Sequence, residues 1–253
     1  IIGIILARML TPEDFGLIGI VTVLFALAQV LITSGLSEAF IQKKEISDID
    51  SSTIFYINLL ISIIVYGILW ISAPAIADFY SKTDLIMLIR LMGLIVIINA
   101  FSVIQVARLM REINFKRNTI INMFAVIIAG LIGFFAAYYG FGVWSLVIQQ
   151  MLNRLFVTVA LWLTSKWRLT VQFSFETLKE MFSFGGWVFG AQLLKAIFDN
   201  IYILTIGKLF PVAQLGYYTQ AKRFQQLSTA QLSGGIGSVT FPVFSKLQDD
   251  RMK

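Results

Sequence analysis

The sequence predicts an all-α membrane protein, a polytopic bundle of helices, and three observations carry that prediction. Apolar residues make up 58% of the chain and charged residues only 13%, roughly half the charge of ordinary globular domains. Apolar stretches of the length needed to cross ~30 Å of hydrocarbon, roughly 20 residues, recur from end to end. None of them shows the strict alternation over about ten residues that marks a membrane β-barrel strand.

Taken in order, the opening "IIGIILARML" is too short to cross a bilayer and begins with Ile. It is read as a partial first span, in a chain that starts inside a helix. Seven complete spans are expected at 16–40, 53–77, 85–106, 119–138, 143–164, 182–206 and 216–241, joined by short polar turns. The sixth is the cleanest, with Trp144, Trp162 and Trp167 near its ends, where indole rings prefer the membrane interface. The eighth, "YYTQAKRFQQLSTAQLSGGIGS", is polar for a lipid-exposed helix. Either it faces protein or water over much of its surface, or it lies amphipathically in the interface. Its glycines do not form a phosphate loop, because no strand precedes them and no lysine follows in register.

Charge placement gives orientation. The connections after even-numbered spans hold Lys43, Lys44, Arg108, Arg111, Lys116, Arg117, Lys166, Arg168 and Lys179, and the tail adds Lys246, Arg251 and Lys253. The opposite connections hold Arg8, Lys82 and Lys208. Twelve basic residues against three place the first set in the cytoplasm, by the positive-inside rule. The amino terminus of the full-length parent is then cytoplasmic, and no secretory signal is visible. The formal charge of +6 therefore belongs to cytoplasmic loops, and no nucleic-acid partner is expected. The run "ARLMREINFKRN" (107–118) is read mostly as an orientation signal, with anionic headgroups within its reach.

The chain has no cysteine and no histidine. That excludes disulfide frameworks, thiolate or imidazole metal sites and every His- or Cys-based catalytic arrangement. No metal, no cofactor and no enzymatic activity are expected.

Five basic residues remain inside spans: Arg90, Arg154, Lys195, Lys222 and Arg223. With Asp199 and Glu38 as the opposing charges, the interior is net positive, and each mid-membrane charge costs on the order of 3 kcal/mol on insertion scales. Gln192, Lys195, Asp199 and Tyr202 share one helical face, as a cavity-facing stripe or as a self-neutralising Lys–Asp pair, although Lys before Asp is the weaker orientation for such a pair. "QQMLNR" sets Gln149, Gln150, Asn153 and Arg154 within about one and a half turns. Interhelical hydrogen bonding would account for its amides but accounts less well for Arg154. Lys222 lies on a line with Tyr218, Gln225, Thr229 and Ser233, with Arg223 on the adjacent face. Arg90, near one end of the fourth span, reads equally as a cavity residue and as a side chain snorkelling to the outer interface.

A weak internal repeat accompanies these charges. Residues 7–16, "ARMLTPEDFG", overlay 207–216, "GKLFPVAQLG", so that Arg8 meets Lys208, Phe15 meets Leu215 and Gly16 meets Gly216; Gly35 also falls on Gly235. Parallel repeats with the substrate site between the halves are a known transporter design. The offset divides the chain into 1–165, a six-helix lobe with a truncated first helix, and 166–253, the first two helices of a second lobe.

"ILARMLTPEDFGLIGIV", "GLSEAFIQKKE" and "LGYYTQAKRFQQL…FPVFSKLQDD" resemble Wzx-type polysaccharide-export flippases. These belong to the multidrug/oligosaccharidyl-lipid/polysaccharide (MOP) superfamily, and the pattern is most similar to the branch handling colanic or teichuronic acid-like polymers. The motifs are loose but the resemblance runs over nearly the whole chain. It implies twelve or more helices in two related lobes around a central cavity. It also implies flipping of undecaprenyl-pyrophosphate-linked oligosaccharide across the bacterial inner membrane, for polysaccharide or lipopolysaccharide biosynthesis. The expected partners are that lipid-linked substrate, the bilayer, and the polymerase and glycosyltransferase machinery. Arg90, Gln149, Asn153, Arg154, Gln192, Lys195, Asp199, Tyr202, Lys222 and Arg223 are the candidate cavity residues. Two rivals are a drug or metabolite antiporter of the same superfamily, which favours acidic cavity residues, and a membrane-embedded polymerase, which needs catalytic acids or long outward loops.

Overall fold

The structure, a computed structural model, describes residues 2–33, 40, 46–112, 115–165 and 167–226. Among the described residues these helices follow one another: α1 Ile2–Met9, α2 Pro12–Thr33, α3 Asp48–Tyr80, α4 Asp84–Arg111, α5 Phe115–Tyr138, α6 Val143–Thr164, α7 Phe175–Leu209 and α8 over 212–226. Six of these, α2 to α7, are long and apolar enough to cross a membrane. The chain is a multi-pass membrane protein.

The apolar runs set where each helix lies, and polar caps set where it starts. Thr11 precedes Pro12, and proline suits the first helical position because its missing N–H would have no partner there. Asp14 Oδ2 accepts from Thr11 N at 3.0 Å, and Asp14 N donates to Thr11 Oγ1 at 3.3 Å. The α2 helix therefore begins four residues before its expected span. At α3 the same reciprocal capping joins Ser47 and Asp50, so the helix starts at Asp48 and not at 53. Ser174 caps α7 by accepting from Thr177 N, ahead of the apolar stretch expected from 182. The α6 helix matches its expected bounds. The eighth expected span is described only to residue 226, and its remainder lies outside the described residues, as do Gly35, Gly235 and Glu38.

The main core forms around α2, whose Leu17, Ile20, Val21, Val23 and Ile32 are buried among α1, α3, α4, α6 and α7. More than half of its apolar window is buried (56%), against 6% for the span of α7, so α2 is the central helix. On α5 the small residues Ala125, Ala129, Gly133 and Ala137 recur every four positions and are buried. Such a stripe lets backbones approach closely where lipid supplies no hydrophobic drive. Here it packs on α6: a Cβ at Gly133 would lie 2.8 Å from Gln149 Cβ. The opposite face of α5, with Phe124, Ile127, Leu131 and Phe135, is exposed, as a lipid-facing surface should be.

The turns at 10–11, 81–83, 139–142 and 210–211 share one end of the bundle, where Lys82 Nζ pairs with Glu13 Oε1 at 2.5 Å. Two of these turns meet backbone to backbone. A Cβ at Gly16 would lie 2.1 Å from Val212 O, and one at Gly216 would lie 1.7 Å from Pro12 O. A Cβ at Gly19 would lie 2.5 Å from Thr219 Cγ2. Adding 200 to the lower number of each pair and subtracting 200 from the higher interchanges the first two contacts and maps Gly19 and Thr219 onto each other, the offset of the sequence repeat.

At the other end the segment between α6 and α7 is strapped to the start of α3. Thr170 N donates to Ser52 Oγ at 3.1 Å, Tyr56 OH donates to Thr170 O at 3.0 Å, and Ser174 N donates to Thr53 Oγ1 at 3.0 Å. The buried Thr177 hydroxyl donates to Asp50 Oδ1 at 2.6 Å. Asp50→Ala removes both the α3 cap and this tie. A lost cap costs about 1 kcal/mol, and a buried hydroxyl stripped of a charged acceptor costs about 1–3 kcal/mol more. The expected result is a lower thermal midpoint in detergent, with Asp50→Asn losing less.

Candidate functional site

Two cavities lie between the helices, beyond the glycine contacts. One, of about 400 Å³, is lined by Thr22, Gln149, Gln150, Asn200, Thr219, Gln220, Lys222, Arg223 and Gln226, with Phe15, Ile18, Gly19, Leu146 and Ile203 as its apolar and small wall. The other, of about 430 Å³, is lined by Gln29, Asn99, Asn153 and Arg154 with apolar residues of α2, α4 and α5. The two share Thr22, Gln149, Gln150 and Arg223, so they form one polar chamber in two compartments.

Helix geometry gives its depth. Arg154 and Arg223 each follow the first residue of their helix, 143 and 212, by eleven positions, about 16 Å at 1.5 Å per residue. That is near the middle of ~30 Å of hydrocarbon. Neither guanidinium has a hydrogen bond or ion pair among the described residues, and no Asp or Glu is among the described residues lining either compartment. The remaining polar lining is amide-rich. Asn99 Nδ2 donates to Gln29 Oε1 at 3.0 Å, which fixes both amides. Gln220 Nε2 is buried without a partner among the described residues. Lys222 Nζ donates to the main-chain carbonyl of Asp199, tying α8 to α7.

Of the residues expected at the cavity, Gln149, Asn153, Arg154, Lys222 and Arg223 line it, and Gln150 joins them. Lys195, Asp199 and Tyr202 are exposed and line neither compartment, nor does Gln192. The α7 helix presents Asn200 and Ile203 to the chamber instead. Lys195 and Asp199 do not pair with each other. Arg90 lies apart, its guanidinium 4.6 Å from the centre of the Trp70 ring, where cation–π attraction holds it against α3. Sequence reading missed Thr22, Gln29, Asn99, Asn200 and Gln220. The signal available was the isolated amide in each otherwise apolar span, since a mid-membrane amide needs a partner or a wet face.

This chamber can bind an anion with hydrogen-bonding groups around it. Guanidinium and ammonium donors make short, strong bonds to phosphate oxygens, and they do so best away from bulk water. The amides donate and accept without regard to the orientation of a sugar hydroxyl.

The chain is similar in sequence to several curated proteins. The chain is 24% identical over 98% of its length to the succinoglycan biosynthesis transport protein ExoT of Rhizobium meliloti, covering 50% of that protein. It is 25% identical over 87% of its length to the teichuronic acid biosynthesis protein TuaB of Bacillus subtilis, covering 46%. It is 26% identical over 98% to the lipopolysaccharide biosynthesis protein WzxC of Escherichia coli, covering 51%. The chain thus spans about half the length of the curated relatives it matches. No solved structure matches it significantly. The family model described as polysaccharide biosynthesis protein matches residues 5–253, and the chain belongs to that family.

Proposed function

We propose that the chain is part of a flippase that carries undecaprenyl-pyrophosphate-linked oligosaccharide across the bacterial inner membrane for export-polysaccharide or lipopolysaccharide biosynthesis. The observation that carries this reading is the pair of unpaired arginines, Arg154 and Arg223, in a mid-depth chamber rich in amides. Two guanidinium groups left without carboxylates are costly in a membrane unless an anionic ligand visits them, and a lipid pyrophosphate is such a ligand. The amides suit its sugars, and the prenyl chain stays among the acyl chains. The relatives' roles in making succinoglycan, teichuronic acid and lipopolysaccharide point to the same substrate class.

In this reading residues 1–165 form one lobe and 166–253 begin the next, and rocking of one lobe on the other gives alternating access. The amino terminus of the parent is cytoplasmic, and the protein is a transporter and not an enzyme. A cation antiporter would place carboxylates in the chamber, and its described lining has none.

Deletion of the full-length gene should leave lipid-linked oligosaccharide on the inner leaflet of the plasma membrane. Restoring the gene should clear it. Accumulation on the outer leaflet as single repeat units would assign the protein to polymerisation and overturn the reading.

A further inference from the structure

A third cavity, of about 370 Å³, lies where α4, α5 and α6 end or begin beside the 165–174 segment. It is lined by Gln105, Arg108, Leu109, Glu112, Arg117, Leu161, Ser165 and Trp167, and it shares no residue with the central chamber. Its walls carry an excess of donors. Gln105 and Trp167 are 2% and 5% exposed, yet Gln105 Nε2 and Trp167 Nε1 meet no partner among the described residues. Such orphan donors are rare in native interiors and each calls for an explanation. Arg108 stands over the Trp167 ring at 5.6 Å and spends one nitrogen on Asp48 Oδ1 and Ser51 Oγ, leaving its other N–H groups. Glu112, exposed at the rim, is the one carboxylate among the described lining residues.

We propose that this cavity binds a phosphate-type oxyanion, supplied by the headgroup of an anionic phospholipid. Three observations agree on that source. The cavity sits at the end of the bundle that carries the basic run 107–118, where Trp167 marks the interface level. Basic pockets between membrane helices at this level are suited to anionic headgroups. Leu109 and Leu161 give it an apolar wall, which a glyceride backbone needs and a free phosphate does not. A bound phosphate would take up the amide and indole hydrogens and the remaining Arg108 donors together.

The test uses the full-length protein in phosphatidylcholine nanodiscs doped with phosphatidylglycerol, with retained lipid read by native mass spectrometry. Wild type should retain phosphatidylglycerol over phosphatidylcholine, and Gln105→Leu and Arg117→Gln should each cut that preference about fivefold or more, the scale of one lost charge-assisted or buried hydrogen bond. Lys116→Gln removes the same charge from an exposed neighbour that does not line the cavity, and it should change nothing. Displacement of the lipid by millimolar inorganic phosphate would keep the oxyanion site and change its source to a soluble anion. Equal retention of both lipids by wild type without phosphate binding, unchanged retention in Gln105→Leu and Arg117→Gln, or an equal loss in Lys116→Gln would overturn the proposal.

Discussion

Gly216→Leu in the full-length protein will open the chamber from the side of the 10–11 and 210–211 turns and abolish transport, and Gly216→Ala will do so in part. The reason is geometric. Even one methyl group at residue 216 would stand 1.7 Å from Pro12 O, and the reciprocal position, Gly16, leaves 2.1 Å to Val212 O. The obstructing atoms are main-chain oxygens at helix starts, which cannot rotate aside as a long side chain would. The first turns of α2 and α8 must separate by more than an ångström, and overpacking of this kind costs about 1–3 kcal/mol. In a transporter whose two access states differ by only a few kcal/mol, that cost shifts the population away from the state closed at this end.

Labelling can read this directly. The chain has no cysteine, so Thr22→Cys, inside the chamber, can serve as the single thiol of a full-length protein otherwise free of cysteine. A membrane-impermeant maleimide added on the turn side should react slowly in the Gly216 parent and severalfold faster in the alanine and leucine variants, in proportion to the shift in population. Unchanged labelling in both variants, with the protein folded, would mean that the glycine seam is no barrier.

The same seam shows how far the sequence reached. Gly16 on Gly216 was visible as an overlay of two decapeptides, but an overlay states only equivalence. The contact itself joins Gly16 to Val212 and Gly216 to Pro12, and that crossing follows from how the two hairpins face each other. Spans were legible because hydrophobicity over roughly 20 residues has no other use. The helices α2, α3 and α7 start ahead of their apolar runs because Thr11, Ser47 and Ser174 cap them in polar surroundings. Of the cations singled out inside spans, Arg154, Lys222 and Arg223 line the chamber. The Lys195–Asp199 stripe did not point to the chamber, because periodicity assigns residues to a shared face and leaves open which neighbour that face meets. Here α7 is turned so that Asn200 faces inward. Arg90 was ambiguous for a related reason: its partner, Trp70, lies twenty residues away on another helix.

Removing the charge of Arg223 should then have the largest effect of any single cation in the chain. Arg223 lines both compartments, whereas Arg154 lines one and Lys195 lines neither. A charge-assisted hydrogen bond to substrate phosphate contributes about 1.5–3 kcal/mol, so Arg223→Gln should lower transport about ten- to a hundredfold or more. Arg154→Gln should fall short of that, and Lys195→Gln should stay near the parent. Arg223→Lys keeps the charge and loses the planar fork, and should recover part of the activity. Stability should move the opposite way, because each unpaired guanidinium is a burden on the folded bundle without substrate. The glutamine variants should therefore unfold at an equal or higher temperature in detergent while transport falls, the pattern expected of a site that trades stability for function. Transport lost together with protein level would instead mark Arg223 as structural. Full transport in both Arg154→Gln and Arg223→Gln, with loss in Lys195→Gln, would move the substrate path to the exposed face of α7.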